Sequence, residues 1–151
     1  MAVEVVSTNR KARKNYEVID TYEAGIVLEG SEIKSVREHS VNIDDAFCLV
    51  EGGEIFVHNM HISPYHASSV FRPDPKRKRK LLLHRKEIDR ISGQVARKGF
   101  ALIPLRVYIK DGKWCKVEIG VCRGKKEYDK REELKRKEVE LEMRRIKGYR
   151  F

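Results

Sequence analysis

Seven Lys and Arg fall between residues 76 and 86, in PDPKRKRKLLLHRKE, with no acid among them. Such density is self-repulsive unless anions or water screen it. The chemistry it suits is phosphate binding, in which each cation displaces a condensed counterion. A solvated loop or a nuclear-localisation signal would share this composition. Two further basic clusters, NRKARK at 9–14 and RGKKEYDKR at 123–131, favour phosphate contact over a solvated loop. Lys11, Arg13, Lys34, Arg79 and Lys80 are the candidate cations.

A second constellation is polar and acidic: Asn9, Tyr16, Tyr22, Glu23 and Glu32 flank the first apolar segment of a chain with net charge +10. Ordinary surface salt bridges would account for it. A carboxylate beside a basic face can instead accept hydrogen bonds from base amino groups. His58 and His61 with Asp44 and Asp45 could serve a divalent metal in a nuclease, but histidines three apart in extended chain point to opposite faces. No nucleophile and base pattern or phosphate-cradling glycine loop occurs, so no catalytic residue, metal or cofactor is expected. The three cysteines, Cys48, Cys115 and Cys122, form no CxxC pair and read as buried free thiols.

These residues need a scaffold. A chain of 151 residues is the size of one domain with an appendage. It contains no apolar run near the ~20 residues that span a bilayer, so a cytosolic protein without a membrane is expected. Tyr16 to Leu28 alternates as a strand, bent at Ala24-Gly25. A short helix follows from Gly30-Ser31, with Ser31 as N-cap, Ile33 and Val36 facing inward, and Lys34 and Arg37 outward. Asp44–Val50 and Glu54–His58 form a hairpin across a Gly-rich turn. Asn59 to Tyr65 is an extended piece, and the prolines and charges that follow make a loop. A helix spans about His84 to Arg97 and stops at Gly99. Phe100–Ile109 and Trp114–Val121 are the last two strands, joined by an Asp-Gly turn.

The fold expected is mainly β with short helices, an OB-like small antiparallel barrel over residues 1–122 whose residues 1–8 are flexible. An open α+β sheet and an SH3-like barrel are the alternatives. Residues 123–151 hold 12 Lys and Arg against 7 Asp and Glu. Glu132 with Arg136, Glu133 with Lys137 and Glu140 with Arg144 are helix-favouring pairs, but the apolar stripe of Val139, Met143 and Ile146 is thin. Ordering costs ~1–2 kcal/mol per residue, so this tail is expected to be disordered when free and helical when bound.

The ordered motifs NRKARKNY, YEAGIVLEGSEIKSVRE, HNMHISPY, RKLLLHRKEID, WCKVEIGV and RGKKEYDKRE resemble one family, small protein B, also called the SsrA-binding proteins. The resemblance runs from Asn9 to about Arg145. It implies a non-enzymatic RNA-binding protein on an OB-like barrel, monomeric when free. Such a protein binds the tRNA-like domain of transfer-messenger RNA and delivers it to stalled ribosomes in trans-translation. Residues matching Asn9, Tyr16, Glu23 and Leu83 belong to the RNA-binding face in that family. Its tail enters the empty mRNA channel and decoding region of the small subunit. The matching tail positions here are Gly124, Lys125, Lys126, Asp129, Lys130, Arg131 and Ile146. Where the family often has His, this chain has Lys14. A general OB-type RNA-binding or ribosome-associated protein is the alternative.

Overall fold

The computed structural model of the protein describes residues 2–65 and 73–124. In chain order these form β1 (Val3–Thr8), α1 (Ala12–Asn15), β2 (Tyr16–Ile26), α2 (Gly30–Arg37), β3 (Val41–Asn42), β4 (Phe47–Glu51) and β5 (Glu54–His58). They continue with β6 (His61–Ile62), β7 (Arg79–Leu82), α3 (Arg85–Lys98), β8 (Ala101–Lys110) and β9 (Trp114–Gly124). Seven strands make one antiparallel sheet in the order β1-β8-β4-β5-β7-β2-β9, and a further β8–β9 pairing closes it into a barrel-like ring. Closure removes open edges along the strands of the ring. β3 and β6 form a separate two-stranded ribbon.

The core is aliphatic and lies inside the ring. Ile55, Val57, Leu81, Val107, Val117, Ile119 and Val121 are fully buried, each from a strand position that alternates inward. The amphipathic helix α3 adds Ile88 and Ile91 to the same cluster. Its start is fixed by Glu87, whose carboxylate accepts the His84 N–H at 3.1 Å. Its end is Gly99 at φ 63, where glycine avoids the Cβ penalty of the left-handed region.

Both hairpin turns form where their glycines require. Gly52 and Gly53 at φ 58 and 77 join β4 to β5, and Asp111 and Gly112 at φ 54 and 65 join β8 to β9. Cys48 and Cys122 are buried and Cys115 is half-buried, all as free thiols, and burial pushes Cys115 and Cys122 up to about 11.

Four local expectations are corrected. Residues 3–8 are not a flexible leader but strand β1, which pairs antiparallel with β8 from Val3↔Lys110 to Thr8↔Arg106. Arg79–Leu82 is not loop or helix start but strand β7, hydrogen-bonded to β5 and β2 on its two sides. Helix α2 is capped by Glu29 rather than Ser31, because Glu32 turns back to accept the Glu29 N–H at 2.9 Å. That rotation buries Glu32, Ser35 and Val36 and leaves Ile33 exposed.

Candidate nucleic-acid interface

The polar residues that flank β2 do not form one cluster. Asn9 is buried, and all of its amide is used inside the protein. Its Nδ2 donates to Ile43 O at 3.1 Å and Pro104 O at 3.0 Å, while Oδ1 accepts from the N–H groups of Lys11 and Ala12. This residue therefore shapes the turn into α1. Asn9, Lys11, Tyr16, Asp44, Asp45 and Phe47 together line an open cleft of about 250 Å³. Lys11 Nζ lies 3.0 Å from Asp45 Oδ1, an exposed pair that an incoming phosphate can displace at little cost.

Gly124 pairs with Tyr16 across the β2–β9 ladder, and Arg123 pairs with Glu17. The chain therefore leaves β9 beside this cleft. Of the tail positions, Gly124 ends the strand; Lys125, Lys126, Asp129, Lys130, Arg131 and Ile146, with the expected bound helix, lie outside the described residues.

Glu23 stands seven residues further along β2, roughly 20 Å from Tyr16 at ~3.3 Å per residue. Here the outer face of the sheet carries a connected network. The Tyr108 hydroxyl donates to Glu23 Oε2, and Lys110 Nζ lies 3.4 Å from Glu23 Oε1. The Arg106 guanidinium sits 5.0 Å from the centre of the Tyr108 ring and donates through Nε to Glu118 at 3.1 Å. The hydrogen bond from Tyr108, assisted by Lys110 and Lys116 and opposed by slight burial, holds the Glu23 carboxyl below its ordinary value of 4.5. Burial and the negative Glu23 push Tyr108 up, so it stays a donor at neutral pH. The result is an ionised carboxylate, fixed in orientation, among Arg106, Lys110 and Lys116. It can accept hydrogen bonds from base amino groups or ribose hydroxyls while the cations hold phosphates. Tyr108, Arg106, Lys110 and Lys116 were not singled out in the sequence, because only the cross-strand register places them beside Glu23.

Tyr22, next in sequence, faces the other way. Its phenol lies 3.3 Å from Gln94 Oε1 of α3, whose Nε2 donates to Asp20 at 2.9 Å. Burial raises the Tyr22 phenol. Leu83 is half-buried against the core cluster. Lys80 is half-buried and its Nζ lies 3.8 Å from Glu54, and Lys34 lies 5.4 Å from the Tyr65 ring. Arg13 sits in α1.

Arg79 is not an interface residue. It is completely buried, and its guanidinium donates to Glu32 Oε2 at 2.7 and 2.5 Å, to Met60 O at 2.6 Å and to Pro75 O at 3.1 Å. Arg77 donates to the same carboxylate, at 2.5 Å from Oε1. Part of the basic run is thus neutralised by Glu32 from α2, leaving Lys76, Lys78, Lys80, Arg85 and Lys86 as its other cations. Burial alone would raise Glu32, but hydrogen bonds from Arg77, the Glu29 backbone and Arg79 outweigh it and hold the carboxyl below 4.5. Glu32 is therefore a folding element rather than a surface carboxylate.

The nuclease reading finds no geometry. His58 hydrogen-bonds Glu51 at 2.9 Å, Asp44 accepts the Arg10 N–H, and Asp45 pairs with Lys11. Among the described residues no group of three or more His, Cys, Asp or Glu could hold a metal ion, and no helix is long and apolar enough to cross a membrane.

Comparison with known proteins adds what geometry alone does not. Residues 6–148 match the family model described as SmpB protein. The chain is 54% identical over 142 residues to the SsrA-binding protein of Geobacillus thermodenitrificans, covering 94% of this chain and 91% of that one. It is 52% identical to the SsrA-binding protein of Enterococcus faecalis, over 94% of this chain and 92% of the relative. A chain from a solved structure described as "tmRNA-SmpB: a journey to the center of the bacterial ribosome" superposes with a TM-score of 0.67 at 46% identity, covering 80% of this chain and 84% of that chain.

Proposed function

The chain belongs to the SmpB family, and on that premise we propose that it binds transfer-messenger RNA through the tRNA-like domain and delivers it to stalled ribosomes in trans-translation. The structural observation that carries the reading is Glu23. An ionised carboxylate oriented by Tyr108, on a sheet face that also carries the Arg106–Glu118 pair, Lys110 and Lys116, repels phosphates at one point and accepts donors there, which suits a folded RNA better than a uniform polyanion.

The two ends of β2 divide the work. The Glu23 end, with Arg106, Lys110 and Lys116, grips the RNA. Asn9 positions the turn into α1 at the Tyr16 end, where Lys11 and Arg13 lie in the chain, and Lys34, Lys80 and Leu83 extend the contact from neighbouring elements. The tail from 123 onward leaves beside Tyr16 and carries Lys125, Lys126, Asp129, Lys130, Arg131 and Ile146 into the empty mRNA channel and decoding region, folding there. The protein works without catalysis, in the cytoplasm, as a positioning factor between two RNAs.

The test is purification of the full chain from its native cells under a high-salt wash. Transfer-messenger RNA should remain bound as the dominant RNA, because specific contacts survive salt that removes purely ionic ones. Recovery of mixed RNA, or none, would favour a general RNA-binding protein.

A further inference from the structure

Trp114 has no role in the core. It is the first residue of β9, directly after the turn Asp111-Gly112-Lys113, and at 60% exposure it is the most exposed of the large apolar side chains among the described residues. Neither core cluster contains it. Leaving an indole in water forgoes the largest apolar gain a side chain offers, so its size is not explained by folding.

Its surroundings are specific. Cross-strand partners share a face of the sheet, and the register aligns Trp114 with Lys110 of β8 and Lys110 with Val3 of β1. The next row holds Lys116, Tyr108 and Val5. Lys110 Nζ is 3.4 Å from Glu23 Oε1, so one continuous face runs from Glu23 through Tyr108 and Lys110 to the indole. Val3 and Val5, both exposed, extend its apolar part. Lys113 adds a cation in the turn, while Asp111 is engaged by the Ala2 N–H at 3.3 Å.

We propose that Trp114 stacks on an unpaired base of the RNA that the Glu23 face holds, with Lys110 and Lys116 taking the adjoining phosphates. The inference rests on the RNA-binding reading above and deepens it. An indole flanked by ammonium groups offers a π-surface and anion contacts together, the combination by which proteins hold unstacked bases. Double-stranded RNA gives such a side chain little purchase, since its bases are stacked and its major groove is deep and narrow; a loop nucleotide does not have that obstacle. A protein partner would meet the same apolar row but would need acidic groups opposite three lysines.

The protein has a single Trp, so emission excited selectively at the indole, clear of the six Tyr, reports this residue alone. The full chain is titrated with the isolated tRNA-like domain, following tryptophan emission and, in parallel, the anisotropy of dye-labelled RNA. Quenching that saturates at the same RNA concentration as the anisotropy is expected. Trp114→Leu should weaken binding about tenfold, and Trp114→Phe should stay within about threefold of the parent, with unchanged melting for both. Normal anisotropy with unaltered emission and full affinity of Trp114→Leu would overturn the stacking role and leave the RNA-binding reading intact. No anisotropy change with the parent protein would overturn both.

Discussion

The Tyr108 hydroxyl on β8 donates a hydrogen bond to Glu23 Oε2 on β2, reaching across the intervening strand β9. A carboxylate that is 42% exposed in its side chain thereby acquires one orientation without being buried. Replacing Glu23 with Gln should weaken binding of the tRNA-like domain about tenfold, or ~1.4 kcal/mol, and leave the melting profile unchanged. Tyr108→Phe should weaken it less, about threefold, because the charge remains and only its aim is lost, and should cost ~0.5–1.5 kcal/mol of stability. Fluorescence anisotropy with thermal melting of each variant separates the two outcomes. Equal stability losses in both would return Glu23 to an ordinary structural role.

Glu32→Gln should behave in the opposite way. It leaves Arg79 charged, fully buried and without its counterion, a loss of about 3–5 kcal/mol for a broken buried pair. Urea unfolding should show it, while RNA affinity measured on the folded fraction changes little.

The same carboxyl sets an acid limit. Glu32 is held below 4.5 in the folded protein, so its contribution is complete above that value and is lost as pH falls through its lower folded value. Stability measured from pH 6 downward should therefore fall more steeply below about pH 4.5 in the parent than in Glu32→Gln.

Much of this scaffold was legible locally. Gly52-Gly53, Asp111-Gly112 and Gly99 punctuate the chain at positions that require positive φ, and their hairpins and helix end fall where expected. What could not be read depends on distant partners. RKLL becomes a strand because β5 and β2 pair with it from both sides, and Arg79 can be buried only because Glu32, 47 residues earlier, meets it. Val3–Thr8 has too few alternating residues to declare itself and is ordered by the side of β8. The site was half visible: resemblance pointed to Glu23, whereas Tyr108, Lys110 and Trp114 join it only through register.

Salt dependence should distinguish the cations from the carboxylate. Lys116→Ala should reduce the slope of log affinity against log salt by about 1, whereas Glu23→Gln should lower affinity and leave the slope nearly unaltered. Binding isotherms across a salt series supply both numbers.

Removing residues 125–151 should leave affinity for the tRNA-like domain within about threefold of the parent, because the Glu23 face lies at the far end of β2 from Gly124. The same truncation should abolish peptide tagging on stalled ribosomes in a reconstituted translation assay. A parallel collapse of RNA binding would show that barrel and tail do not divide the work.

The central claim is that the barrel recognises a particular folded RNA rather than negative charge. The most direct measurement compares affinity for the tRNA-like domain with that for an unrelated stem-loop of equal length, at near-physiological salt where purely ionic contacts are weakened. A preference of at least about tenfold for the tRNA-like domain is predicted. Equal affinity for the two RNAs would contradict it.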